Sequence, residues 1–157
     1  MNGHKARIQR STPEAEKACR AHRMTTLLFV DDEQDALLVF SMLLSARGYQ
    51  VESAGDAGEA LCKMALSPPD AVITDWAMPG MNGAQLCARL REPGSPFAHI
   101  PIIVATATPL AVDVRGQPYD AVLRKPYSAD ELVRAITALV REIPAAPEKR
   151  TVPSPAL

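Results

Sequence analysis

Four short apolar runs punctuate the chain, and each ends in residues that carry chemistry. Leu27-Leu28-Phe29-Val30 runs into Asp31-Asp32, and Ala71-Val72-Ile73-Thr74 runs into Asp75. Ile102-Ile103-Val104-Ala105 runs into Thr106, and Ala121-Val122-Leu123-Arg124 runs into Lys125-Pro126. Runs of this length without polar alternation read as buried strands. A fifth segment, Tyr49-Gln50-Val51-Glu52-Ser53, alternates and reads as a half-exposed strand. Between the runs, apolar residues recur at helical spacing. Leu37, Phe40 and Leu44 mark a first helix with Gly48 as its stop. A second helix is expected from Asp56 to Leu66, closed by Pro68-Pro69, and a third from Ala84 to Leu90. Leu132, Ile136 and Leu139 share one face of a last helix, which Ser128 and Glu131 open as a capping box.

Strands alternating with helices are the signature of βαβ units. Right-handed crossovers place helices on both faces and gather the carboxyl ends of the strands at one edge. The expected fold class is therefore α/β: a doubly wound five-stranded parallel sheet in a three-layer α/β/α sandwich. Five helices are expected, the fourth of them shortened. Thr108 can cap that helix and Pro109 can open it, but Gly116 and Pro118 stop it early. Ligands of open parallel sheets bind outside the carboxyl ends of the strands. Three carboxylates, one hydroxyl and one ammonium fall there.

The flanks read differently. Residues 1–23 are polar, basic and aperiodic, the pattern of a flexible arm, and Met24 directly before the first strand is an alternative start. Residues 24–142 form the expected folded domain, and 143–157, with Pro144, Pro147, Pro153 and Pro155, form an expected disordered tail. A length of 157 residues suits one domain with a real core. The formal charge is −1, but the first 24 residues carry six Lys/Arg against Glu14 and Glu16, so the remainder is acidic. No stretch approaches the roughly 18 apolar residues of a membrane span, and the N-terminus has no apolar leader core. A cytoplasmic protein with no nucleic-acid or membrane partner is expected. Cys19, Cys62 and Cys87 have neither pairing nor metal-ligand spacing, and the last two are expected to be small core residues.

Asp31 and Asp32 are adjacent, so on a regular strand they would point to opposite faces; at a strand end both can turn toward one cation. Hard oxygen donors with room for water suit Mg²⁺ better than Zn²⁺. Alone, the pair reads equally well as a solvated acidic turn; Asp75 and Lys125 at equivalent strand ends tip it toward a metal site. An ionised Asp75 can attack phosphorus once repulsion between the anions is neutralised, by the cation on one side and Lys125 on the other. Thr106 can donate to a phosphoryl oxygen, and Ala107 leaves it room. The Lys125-Pro126 bond is a candidate cis peptide.

In sequence order, Phe29-Val30-Asp31-Asp32-Glu33, Asp75-Trp76-Ala77-Met78-Pro79-Gly80-Met81-Asn82-Gly83, Thr106-Ala107 and Lys125-Pro126-Tyr127 resemble the receiver domain of two-component response regulators, the chemotaxis-type fold. Each fragment is weak by itself, but all four in this order are specific, and they span nearly everything outside the flanks. The resemblance implies a flavodoxin-like sheet of strand order 2-1-3-4-5, and that Asp75 accepts a phosphoryl group from a phosphohistidine on a sensor histidine kinase or a histidine phosphotransfer protein. It implies that Asp31, Asp32, Asp75 and the backbone carbonyl of Ala77 bind Mg²⁺, that Thr106 moves toward the phosphoryl group and that Lys125 pairs with it. Met78-Pro79-Gly80 and Gly83 would shape the loop after the acceptor. Phosphorylation would shift a pre-existing equilibrium between two surfaces. The chain is thus expected to be a stand-alone receiver, catalysing only its own phosphorylation and dephosphorylation. It would signal through contacts with an unknown downstream protein, as a monomer or weak dimer.

Two departures from the family pattern stand out. The position three before the lysine, usually aromatic, is Val122; Tyr119, six before it, is not an evident substitute. The Gly-Ala that usually precedes the fifth strand is replaced by Pro118-Tyr119. The phosphoryl chemistry reads as intact and the output face as altered, so dimerisation through the fourth helix and fifth strand is not expected. The altered face motivates one alternative, a pseudo-receiver or adaptor without phosphoryl turnover. A metal-dependent phosphatase is a second, but it needs a general acid or base near Asp75. His99 falls at the opposite end of the sheet, and His4 and His22 lie in the arm.

Overall fold

Side-chain burial sorts the apolar runs into a sheet. The computed structural model describes residues 24–108 and 116–141. β1 (Thr26–Val30), β2 (Gln50–Ala54), β3 (Ala71–Asp75), β4 (Ile102–Thr106) and β5 (Ala121–Arg124) form one parallel sheet in the order β2-β1-β3-β4-β5. This is the doubly wound order expected from the sequence. β3 and β4 are buried almost throughout, as unbroken apolar runs require, whereas the alternating edge strand β2 is half-exposed.

Four helices are present among the described residues: α1 (Gln34–Ser45), α2 (Ala57–Leu66), α3 (Gly83–Leu90) and α4 (Ala129–Arg141). The shortened helix expected between β4 and β5, the basic arm and the Pro-rich tail fall outside the described residues, so α4 is the helix predicted last. Local capping sets the helix starts. The Asp56 carboxylate accepts from the Glu59 N–H at 2.8 Å to open α2. Asn82 and Gln85 form a reciprocal box at α3, and Ser128 and Glu131 another at α4. Gly48 (φ +88°) lies just beyond α1, in the left-handed conformation that suits glycine.

Period-2 alternation divides the core in two. On one face, Leu28, Val30, Val72 and Val104 pack with Ala60 and Met64 of α2 and Leu86, Cys87 and Leu90 of α3. On the other, Leu27, Phe29, Ile73 and Ile103 pack with Leu37 and Leu44 of α1 and Leu132 and Ile136 of α4. A three-layer sandwich results. Below the sheet edge, Arg91 fastens the layers: its guanidinium donates to the carbonyls of Ala98 and Ile100 at 2.9 Å and to Asp120 Oδ2 at 2.6 Å. Asp120 also accepts from the Ile102 N–H at 2.8 Å, which fixes the entry to β5.

One core expectation is corrected. Cys87 is buried, but Cys62 is exposed on α2, because the inward stripe of that helix is taken by Ala57, Ala60 and Met64. Burial pushes the Cys87 thiol up to about 12, which leaves on the order of 10⁻⁴ of it as reactive thiolate at pH 8. A maleimide at pH 8 is therefore expected to label Cys62 in the folded protein, with Cys87 reacting only after denaturant is added. Peptide mapping of labelled cysteines checks this, and equal labelling of the two in the native state would contradict the packing.

Candidate functional site

Parallel register brings the polar residues at the strand ends together. Val30 of β1 is level with Thr74 of β3, so Asp31 emerges beside Asp75. Asp75 is level with Ala105 of β4, and Thr106 with Arg124 of β5, so Lys125 emerges one step further along. The Lys125 N–H donates to the Thr106 carbonyl at 2.9 Å, which carries the ladder past the strand end. The Lys125-Pro126 bond is cis, as the sequence suggested.

Side chains then converge. The Lys125 ammonium lies 3.3 Å from Asp31 Oδ2 and 3.5 Å from Asp75 Oδ1. Carboxylate oxygens of Asp31, Asp32 and Asp75 lie within 4.8 Å of one another, an arrangement that could hold a metal ion. Asp31 is buried, Asp32 exposed and Asp75 between the two, so the cluster opens to solvent on one side. Asp31 Oδ1 accepts from the Glu33 N–H at 2.9 Å, which holds this carboxylate at the strand exit. Thr106 is buried at the end of β4, and its Oγ1 accepts from the Thr108 N–H at 3.0 Å. That contact leaves the hydroxyl proton free for another acceptor. Ala77 lies two residues past Asp75 on an exposed stretch, and its N–H faces the Asp75 carboxylate.

The loop after Asp75 is clamped against it. Met78 is buried in the core, the Gly83 N–H donates to the Trp76 carbonyl at 2.9 Å, and Gly80 takes a left-handed φ of +73°. A Cβ on Gly83 would fall 2.2 Å from the Asp75 carbonyl oxygen and 2.9 Å from Trp76 Cα, so no other residue fits without moving the turn after Asp75. His99 lies before β4, at the far end of the sheet from Asp75, as the sequence implied.

Electrostatics at the site are unbalanced. Two like charges within 4.8 Å repel by about 3 kcal/mol at an effective dielectric constant of about 20. Burial raises the Asp75 pKa first and foremost; Lys125 opposes this, Asp31 adds to it, and the N–H groups of Trp76 and Ala77 pull it back, with a net rise. For Lys125, burial acts downward, but Asp31 and Asp75 outweigh it and the net shift is upward. Burial, with the charges of Asp31 and Asp75, also raises Tyr127, whose ring packs 4.9 Å from Phe40. One contact had no sequence signal: Tyr119, set aside above, is buried with its ring edge-on to Trp76, centroids 5.9 Å apart.

A doubly wound parallel sheet with polar residues gathered at its strand ends belongs to the class of α/β folds that take their ligands at that edge. Within that class, the profile of the response regulator receiver domain matches residues 27–137, and the chain belongs to this family. The sensory transduction protein RegX3 of Mycolicibacterium smegmatis is 36% identical over 121 residues, covering 75% of this chain and 51% of that protein. The sensor histidine kinase TmoS of Ectopseudomonas mendocina is 39% identical over 117 residues, 73% of this chain but 12% of that protein. The chain thus spans about half the length of the first relative and far less of the second. Among solved structures, the chemotaxis protein CheY4 of Vibrio cholerae superposes with a TM-score of 0.68 at 28% identity, covering 74% of this chain and 99% of that one.

The sign of the Asp75 shift yields a stability prediction. Its folded pKa lies above the ordinary 3.8, so the folded state binds this proton more tightly than the unfolded chain. The contribution to stability therefore falls as pH rises from the unfolded value through the folded one, and ionised Asp75 is a net cost at neutral pH. Asp75→Asn is expected to raise the melting temperature of the metal-free protein at pH 7, with the gain shrinking below about pH 4. Thermal unfolding in chelator at both pH values checks this, and a lower melting temperature for the variant at pH 7 would refute it.

Proposed function

We propose that this receiver accepts a phosphoryl group on Asp75 from a phosphohistidine of a histidine kinase or a histidine phosphotransfer protein, and passes the signal on through protein contacts. The observation that carries the reading is the Lys125 ammonium 3.5 Å from Asp75 Oδ1, within a cluster of three carboxylates. An Asp75 carboxylate oxygen attacks phosphorus as the P–N bond to the imidazole breaks, and the imidazole leaves with the bonding pair and is protonated. Asp31, Asp32, Asp75 and the Ala77 carbonyl would hold Mg²⁺, an all-oxygen donor set that suits this hard cation. When bound, it neutralises charge on the phosphoryl oxygens. Lys125, released from two carboxylates, pairs with one phosphoryl oxygen, and Thr106 donates its hydroxyl proton to another. These residues orient and neutralise, which is most of what phosphoryl transfer asks of a protein.

Surface chemistry beside the acceptor supports a protein donor. α1 begins just past the Asp31-Asp32 turn, after Glu33, and carries apolar residues beyond its inner face. Its inner face buries Leu37 and Leu44, while Leu38, Val39 and Met42 are 62%, 51% and 66% exposed. Residues at this spacing form one continuous ridge. An apolar ridge beside an open acidic site fits a partner that buries it while presenting a phosphorylated side chain.

With Mg²⁺ and acetyl phosphate, the wild-type chain is expected to gain one acid-labile phosphoryl group, by intact mass, that Asp75→Asn does not. Absence of label in the wild type would favour the adaptor reading. Met42→Glu is expected to leave labelling by acetyl phosphate within about twofold. The same change should slow transfer from a phosphorylated histidine protein roughly tenfold or more, the size of losing one buried apolar contact and burying a charge. Equal slowing with both donors would place the defect in the site rather than the surface.

A further inference from the structure

Tyr119 is buried, 3% exposed, in a segment otherwise turned toward solvent: Gly116 and Gln117 before it are exposed and Pro118 is half-exposed. Its ring meets Trp76 edge-on, with centroids 5.9 Å apart and planes at 86°. Trp76 directly follows Asp75, and its backbone is held on both sides. Its N–H donates to the Ala105 carbonyl at 3.1 Å, and its carbonyl accepts from Gly83 at 2.9 Å. The Trp76 N–H also faces the Asp75 carboxylate, so a change there bears on Trp76 directly, and with the backbone held the indole ring is the part left to respond. An edge-on contact depends on the relative tilt of the two rings, so a turn of one displaces the other.

The next link is equally constrained. Asp120, adjacent to Tyr119, is pinned by Arg91 at 2.6 Å and by the Ile102 N–H at 2.8 Å. β5 thus cannot slide to absorb a shift of the Tyr119 ring, which leaves the exposed residues before it to move. Val122, on β5, packs against the same core cluster as Trp76 but has no ring to make such a contact. Resting on the reading of Asp75 as acceptor, we propose that the Trp76–Tyr119 ring contact relays the state of Asp75 to the surface at residues 116–118, making that surface the switched face of this receiver. Interaction of a downstream protein with this face would then depend on phosphorylation.

The test uses the full-length chain with Mg²⁺ and beryllofluoride, a stable phosphoryl mimic, in the wild type, Tyr119→Phe and Tyr119→Leu. Fluorine NMR reports whether the mimic is bound, and hydrogen exchange of peptides covering 116–120 reports the relay. In the wild type the mimic is expected to alter the emission of Trp76, the single tryptophan, and to change exchange at 116–120 at least threefold. Tyr119→Phe keeps both responses. Tyr119→Leu still binds the mimic but loses most of the exchange change. If Tyr119→Leu does not fold, Trp76→Leu removes the other half of the contact and is read by the same exchange measurement. A leucine variant that binds the mimic and retains the wild-type exchange change overturns the relay, as does a wild type that binds it with no change at 116–120. A wild type that fails to bind the mimic overturns instead the reading of Asp75 as acceptor, and the relay with it.

Discussion

A single ammonium between two carboxylates is the interaction on which this architecture turns. β3 and β5 are separated by β4, hence by two strand spacings, about 10 Å. Only a long side chain leaving the end of β5 can cross that gap to a carboxylate on β3. Lys125 does so, lying 3.3 Å from Asp31 and 3.5 Å from Asp75. The contact exists because all five strands run parallel and in a register that ends them at one edge. An antiparallel β5 would have put its lysine at the wrong end of the sheet. The apolar core thus acts on function indirectly: burial of Leu27, Ile73 and Ile103 fixes the register, and the register fixes the charges.

That arrangement is also why the sequence was so readable here. Strands buried on both faces must be apolar throughout, so the polar residue that ends each run marks both a boundary and a place at the common sheet edge. Asp31, Asp75, Thr106 and Lys125 were legible for this reason, as were the Asp56 and Ser128 caps, whose signals are local. Contacts without periodic or local signal were not legible. Tyr119 meets Trp76 across 43 positions of sequence, and spacing relative to Lys125 gave no hint of it. Cys62 sat inside a helical pattern but on its outer face, because period alone does not say which of two flanking stripes turns inward. α1 shows the same limit: the Leu37-Phe40-Leu44 stripe marked the helix but not the further apolar residues Leu38, Val39 and Met42, which face solvent.

The electrostatic state of the resting site follows from the same geometry. Asp75 is partly buried beside another carboxylate, and one lysine is shared between the two, so the negative charge is under-compensated and its pKa rises. Such a site is poised for positive charge, and the clustered oxygens present the donors a hard cation takes. Under the proposed function, fold stability and phosphoryl chemistry pull in opposite directions at this one residue, a common tension at functional sites.

The tension is confined by how tightly the acceptor turn is built. Gly83 lets the loop backbone approach the Asp75 carbonyl more closely than any side chain would permit, and Met78 anchors the loop in the core. The backbone on either side of Trp76 is held by hydrogen bonds to Ala105 and Gly83, so the turn offers little room for local loosening. The Lys125 ammonium faces the Asp75 charge directly, while the Trp76 ring packs against Tyr119. Under the proposed relay it is therefore this aromatic pair, rather than the strand, that carries a change of charge at Asp75 toward the surface.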